Sequence, residues 1–366
     1  MLRLFALFLC ALSIAAGQEN PSFDDLAKKA ADARDANNIP NAIELYRRAL
    51  QMKPDWNEGW WYLGSLLYDS DRYLDAAAAL KHVVDADPRV TPAWALLGLS
   101  QFETGAYDES LANITRALSP ASNLPPQMEA VLRFHQALLL TRAGDFEKAV
   151  QSYAWFAHKG AIQPDVLQAI GLAALHSPIL LKDIPAGQRE LYSLAGRAAY
   201  LVMSGDYAQA QQAFAQLLQH YPRSPYVHYL YGTFLMAASP DEALQELQRE
   251  LELTPENGYA DAMLAWLLTE RGDTEAALPC AQRAVKLLPK LPLAQFVLGR
   301  ALASKGDLST AIQHLEVAEK LDPASVDDHI ALATAYSRAG RLEDSRRERR
   351  ISLNLAKEST ALAQHP

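Results

Sequence analysis

Residues of one kind recur every 34 positions along most of this 366-residue chain. Trp60-x2-Leu63-Gly64 returns as Trp94-x2-Leu97-Gly98. Pro54 and Pro88 keep the step, as do Ala42, Ala76 and Ser110. In the second half it holds for Gly272, Gly306 and Gly340, for Pro255, Pro289 and Pro323, and for Ala265, Gly299 and Ala333. Several position classes on one ruler exclude a single-core globule. They require stacked supersecondary units, each too small to bury its own apolar face.

Within a unit the apolar residues recur at helical spacing in two halves, as in Leu63 and Leu67 and then Leu74 and Leu80. Gly-Asp pairs stand between the halves at 144–145, 205–206, 272–273 and 306–307. The glycine ends one helix in the left-handed conformation and the aspartate caps the next. Pro54, Pro88, Pro222, Pro255, Pro289 and Pro323 stop the second helix. Nothing alternates like a strand.

The period and the pattern Trp-x2-Leu-Gly-x2-Tyr, Ala-x3-Phe, Pro resemble the tetratricopeptide repeat (TPR) family. The resemblance implies an all-α solenoid of helical hairpins, a right-handed superhelix with helix A of each unit on the concave side. Taking Trp60 as position 4, units start at Phe23, Asn57, Thr91, Ala130 and Pro164, then at Leu191, Pro225, Gly258, Pro292 and Val326. That makes about ten units, one of them truncated near 164–190. The third runs long, through Pro120 and Pro125-Pro126. The fifth begins as a helix A at Leu167-x2-Ile170-Gly171, but Pro178 and Pro185 preclude its second helix. The expected organisation is a lead at 18–22, an array at 23–176, an apolar connector at 177–187 packed on the solenoid, an array at 188–358 and a tail at 359–366.

The first seventeen residues stand apart. Met1-Leu2-Arg3, an apolar run from Leu4 to Ile14 and Ala15-Ala16-Gly17 read as an export signal cut before Gln18. The expected location is outside the cytoplasm, periplasmic or extracellular if the source is bacterial. No run is long enough to span a membrane. A net charge of −9 excludes nucleic acid as a partner on electrostatic grounds. Cys10 and Cys280 are the only cysteines, so a disulfide framework and a zinc cluster are excluded.

No catalytic constellation is present: no His-Glu-x-x-His, phosphate loop, Gly-x-Ser-x-Gly or Cys-x-x-Cys. The chain is expected to be no enzyme and to need no cofactor or metal. The nine histidines are scattered and read as packing or surface residues. Cys280 reads as a small buried thiol. The arginines that crowd residues 338–350, interleaved with Glu343, Asp344 and Glu348, read as a polar cap on the open end of the solenoid.

The resemblance points to the concave face, at positions 2, 5, 9 and 12 of helix A. Ten of those 40 residues are aromatic, a share well above the 8% of the chain: Trp61, Tyr68, Phe102, Phe134, Tyr192, Tyr226, Tyr229, Tyr259, Trp266 and Phe296. Such a stripe is either a binding surface or the packing that holds neighbouring A helices together. The Lys and Asn clamp that grips a carboxylate terminus in some relatives is absent: Ala27, Ala31, Trp61, Ser65, Ala95 and Leu99 occupy its places. The expected function is a non-enzymatic exported adaptor that holds an apolar segment of a partner protein in an aromatic groove. The alternative is a structural subunit of an envelope or secretion assembly, working through the edges and ends of the solenoid.

Overall fold

The computed structural model describes residues 21–119, 124–160 and 162–364, and all their regular structure is helical. The export signal at 1–17 lies outside the described residues. Contacts divide the chain into two compact units with the boundary between Gln136 and Ala137.

The first unit holds α1 (Phe23–Asp35), α2 (Ile39–Met52), α3 (Asn57–Tyr68), α4 (Tyr73–Ala86), α5 (Thr91–Thr104), α6 (Tyr107–Ala117) and the start of α7 (Pro126–Arg142). Consecutive helices pack as hairpins, and each hairpin packs on the next. The second unit continues with α8 (Phe146–His158), α9 (Pro164–Ala174), α10 (Arg189–Met203), α11 (Tyr207–His220), α12 (Val227–Leu235) and α13 (Pro240–Leu253). It ends with α14 (Gly258–Glu270), α15 (Thr274–Leu287), α16 (Pro292–Lys305), α17 (Leu308–Leu321), α18 (Val326–Arg338) and α19 (Leu342–Gln364). Helices start at Phe23, Asn57, Thr91, Pro164, Gly258, Pro292 and Val326, where the ruler also starts units. They start at Pro126, Arg189 and Val227 where the ruler gives Ala130, Leu191 and Pro225.

Four hairpins close by the same chemistry. Gly306 takes φ 97° after α16, and the Asp307 carboxylate then accepts from the Thr310 amide at the start of α17. Asp145, Asp206 and Asp273 cap α8, α11 and α15 in the same way. A small residue lets the two helices cross closely. A Cβ on Gly98 would lie 2.7 Å from Ile114 Cγ1, and one on Gly299 would lie 2.6 Å from Leu315 Cγ.

Hairpins are tied in series through the proline between them. Trp60 Nε1 donates to the Pro54 carbonyl at 2.8 Å, and Trp94 Nε1 to that of Pro88 at 2.9 Å. Later units replace the tryptophan and keep the bond. His228 Nε2 lies 2.8 Å from the Pro222 carbonyl, Gln295 Nε2 donates to that of Pro289 at 2.8 Å, and His329 Nε2 lies 3.1 Å from that of Pro323. At Asp261, which has no N–H to give, the position instead forms an ion pair with Arg283.

The period breaks after α9. Residues 177–188 hold two short 3₁₀ turns, Leu181–Asp183 and Ala186–Gln188, rather than a helix, and Leu180 and Ile184, which flank the first, are buried. This stretch lies inside the second compact unit. With no second helix to interpose, α10 packs straight onto α9 through two glycines. A Cβ on Gly171 would lie 1.9 Å from the Tyr192 carbonyl oxygen, and one on Gly196 1.7 Å from that of Leu167.

Gly196→Ala must therefore push two backbones apart, an overpacking cost of about 3 kcal/mol. Gly306→Ala meets no atom within 4 Å and pays only the left-handed strain, about 1–2 kcal/mol. Urea unfolding should rank Gly196→Ala as the less stable variant. Equal midpoints would mean that α9 and α10 do not approach as described.

A candidate aromatic groove and a buried histidine

The ten groove aromatics separate by depth. Tyr192, Tyr229 and Phe296 are buried in the core, whereas the other seven are half-buried. In the first unit Trp61 packs against the core, Tyr68 meets the edge of Tyr73, and Phe102 and Phe134 both meet the ring of His135. The Tyr192 hydroxyl is 3.0 Å from Ser177 Oγ, so that residue braces the segment after α9.

Two sites form in the second unit. The first is a groove of about 440 Å³ on the A helices α14, α16 and α18. Trp266, Phe296, Ile330 and Ala331 give it apolar walls, and Ile330 is half exposed there. Arg300, ion-paired with Glu270 and set over the Phe296 ring, stands beside them with Asp327 and Arg338.

The second gathers Tyr226, Tyr229 and Tyr259 around a residue that the repeat pattern did not single out, His176. Its imidazole stacks on Phe146 at 4.5 Å and on Tyr226 at 4.8 Å, and it meets the edges of Tyr229 at 5.2 Å and Tyr259 at 4.2 Å. Its Nδ1 is buried without a hydrogen bond. Burial among these rings disfavours the cation and lowers the pKa to about 3. His176 lies just past α9, outside any helix face, so periodicity had no means of assigning it to the cluster.

The backbone here is also unusual. His176 (φ 50°) and Tyr226 (φ 65°) are both left-handed without being glycine. The wholly buried Glu250 holds the second in place. Its carboxylate accepts from the Tyr226 amide at 2.8 Å, the Tyr229 amide at 3.2 Å and Asn257 Nδ2 at 3.1 Å. One residue before Tyr229, His228 is held between Glu246 Oε2 at 2.6 Å and the Pro222 carbonyl. Two acceptors satisfy an imidazole only when both nitrogens carry protons. The Glu246 carboxylate chiefly, opposed by burial, raises its pKa.

Beside the cluster opens a cleft of about 730 Å³ between the start of α8, the α15–α16 turn and the end of α17. Phe146 and Tyr259 line it with Glu147, Leu288, Pro289 and Asp322. Glu147 is open to solvent at the mouth, yet the cleft walls desolvate it, and Asp145 and Asp322 add their charge. Its pKa is raised. Among the described residues no cluster of histidine, cysteine or carboxylate side chains is placed to hold a metal ion.

Helical hairpins repeated on one ruler and tied through inter-repeat prolines define a helical-repeat protein. The sequence profile of the tetratricopeptide repeat matches residues 28–90, 64–125, 195–258 and 262–326, and the chain belongs to that family. Among solved structures it is similar to MamA residues 41 to the end from Desulfovibrio magneticus RS-1. The identity is 19% over 46% of this chain and 96% of that one, with a TM-score of 0.40. Two further MamA structures, the RS-1 ArsTM double mutant and AMB-1, match at 18% and 22% identity. They cover 47% and 44% of this chain and 97% and 96% of theirs, with TM-scores of 0.40 and 0.38.

The two histidines should respond to pH in opposite senses. The His176 value is depressed in the folded chain. Its contribution is therefore present above the unfolded value, about 6.5, and is lost as pH falls toward about 3, by at most about 1.4 kcal/mol per pH unit. His176→Phe should flatten the acid side of the stability profile. The His228 value is raised, so its contribution is present in full below about 6.5 and is lost as pH rises through the folded value. His228→Gln keeps the proline bond, as Gln295 does, and should flatten the alkaline side. Melts of the three proteins across pH 4–9 check both signs; parallel profiles would contradict them.

Proposed function

We propose that this TPR protein is a non-enzymatic adaptor that acts outside the cytoplasm and holds an apolar segment of a partner protein along α14, α16 and α18. The observation that carries this is the groove itself: Trp266 on α14 and Ile330 on α18 present apolar surface to solvent on either side of α16, among charged residues that can meet polar backbone and side chains. Families of stacked hairpins bind proteins along such faces. The apolar run and small-residue ending at 1–17 support export, and no helix among the described residues is long and apolar enough to cross a membrane.

Trp266→Ala should leave the fold nearly intact, since the ring is only half-buried, and should weaken partner binding by roughly thirtyfold, the worth of an anchor ring of about 2 kcal/mol. Tyr229→Ala should lower stability by several kcal/mol instead, as large-to-small core changes do. A photo-crosslinking residue placed at Ile330 should capture one dominant protein, and the same residue at the exposed Leu74 of α4 should not. Equal capture at both positions would favour a scaffold that works through its outer surfaces.

Export has its own check. Mass analysis of the protein recovered from cell fractions should find it outside the cytoplasm with Gln18 as its first residue. A chain that retains Leu4–Ile14, or that stays in the cytoplasm, would overturn this part of the reading.

A further inference from the structure

The cleft at the start of α8 has a feature that packing does not use. Glu147 makes no hydrogen bond and no ion pair, although it stands beside Asp145 and Asp322. Of the two lysines that line the same space, Lys148 is already held by Asp145 at 2.7 Å, which leaves Lys290 against Glu147 and Asp322. Three carboxylates against two lysines leave the cleft with a negative charge in excess, which favours an incoming cation. These carboxylates are not placed to hold a metal ion. The walls are instead organic in character: Phe146, Tyr259, Leu288 and Pro289 offer surface on which an aliphatic stem can lie while its charged head meets the carboxylate.

The cleft and the groove share a helix. Tyr259 lines the cleft and Trp266 lines the groove, and both stand on α14. Seven residues of helix separate them, about 10 Å. We propose that the cleft receives an arginine or lysine side chain of the same partner segment whose apolar residues occupy the groove. This rests on the groove reading and adds to it the charge of the partner: a segment with apolar anchors and a basic residue about two helical turns away.

The test uses the full chain and a phage-displayed library of random 12-residue peptides, selected in parallel on the wild-type protein, Glu147→Gln and Trp266→Ala. The wild-type protein should enrich peptides that combine apolar residues with arginine or lysine. Glu147→Gln should keep the apolar preference and lose the basic one. A synthetic peptide from the wild-type selection should bind Glu147→Gln at least about tenfold more weakly, the worth of a hydrogen bond to a charged group. Replacing its arginine by citrulline should weaken binding to the wild-type protein equally and leave binding to Glu147→Gln unchanged. That comparison does not depend on the stability of the variant.

Enrichment of apolar peptides with no basic preference, or a basic preference that survives Glu147→Gln, would overturn the cleft proposal and leave the groove standing. Basic peptides that depend on Glu147 but not on Trp266 would support the cleft and sink the groove. A wild-type selection that enriches nothing would sink both.

Discussion

The carbonyl oxygen of the inter-repeat proline is the constraint around which the repeats are organised. A proline ends the second helix and gives no N–H of its own, but its carbonyl still needs a donor at a point where two hairpins meet. Six residues on, the fourth residue of the next helix A supplies it. Trp60, Trp94, His228, Gln295 and His329 differ in size, charge and aromaticity. They share an N–H at the end of a side chain of similar reach. Where the bond is kept, what the repeat preserves is a donor at one place; Asp261 is the exception and pairs with Arg283 instead.

Once that donor is fixed, the rest of the side chain is free to choose a partner on helix B. Trp60 stacks on His82 and Trp94 lies under Arg116. His228 and His329 pair with Glu246 and Glu348, and Gln295 meets His314. The substitution of an indole by an imidazole turns an apolar contact into a buried ion pair without moving the hairpin. It also makes two junctions responsive to pH that would otherwise be inert.

The sequence shows the hairpins and their turns with little ambiguity because each depends on residues close together in the chain. Gly-Asp pairs, the small residues at the crossings and the terminal prolines act within one unit. Depth is another matter. Position 5 of helix A holds Trp61 and Phe134, half-buried, but also Tyr229 and Phe296, buried. Period assigns a residue to a face; how deeply the ring sinks depends on the neighbouring helix, which period does not describe. His176 was illegible for a related reason. It contacts residues 30 to 83 positions away, and no spacing rule connects them.

A strictly regular array presents the same surface again and again, so a unique site needs a break in the repeat. Here the break is the missing second helix after α9. Its loss lets Gly171 and Gly196 bring α10 directly onto α9, and it leaves His176 at the end of a shortened helix with its ring turned among Phe146, Tyr226, Tyr229 and Tyr259. His176 takes a left-handed backbone there, and Tyr226, whose ring stacks on it, takes one at the start of α12, each costing roughly 1–3 kcal/mol. Glu250 offsets part of that cost by binding the amides of Tyr226 and Tyr229, which a left-handed Tyr226 makes available together at the start of α12. A regular helix B after α9 would remove the need for this arrangement. The strain at His176 therefore belongs to the truncated unit, whereas the carboxylate that supports Tyr226 and the walls of the cleft come from the helices packed around it.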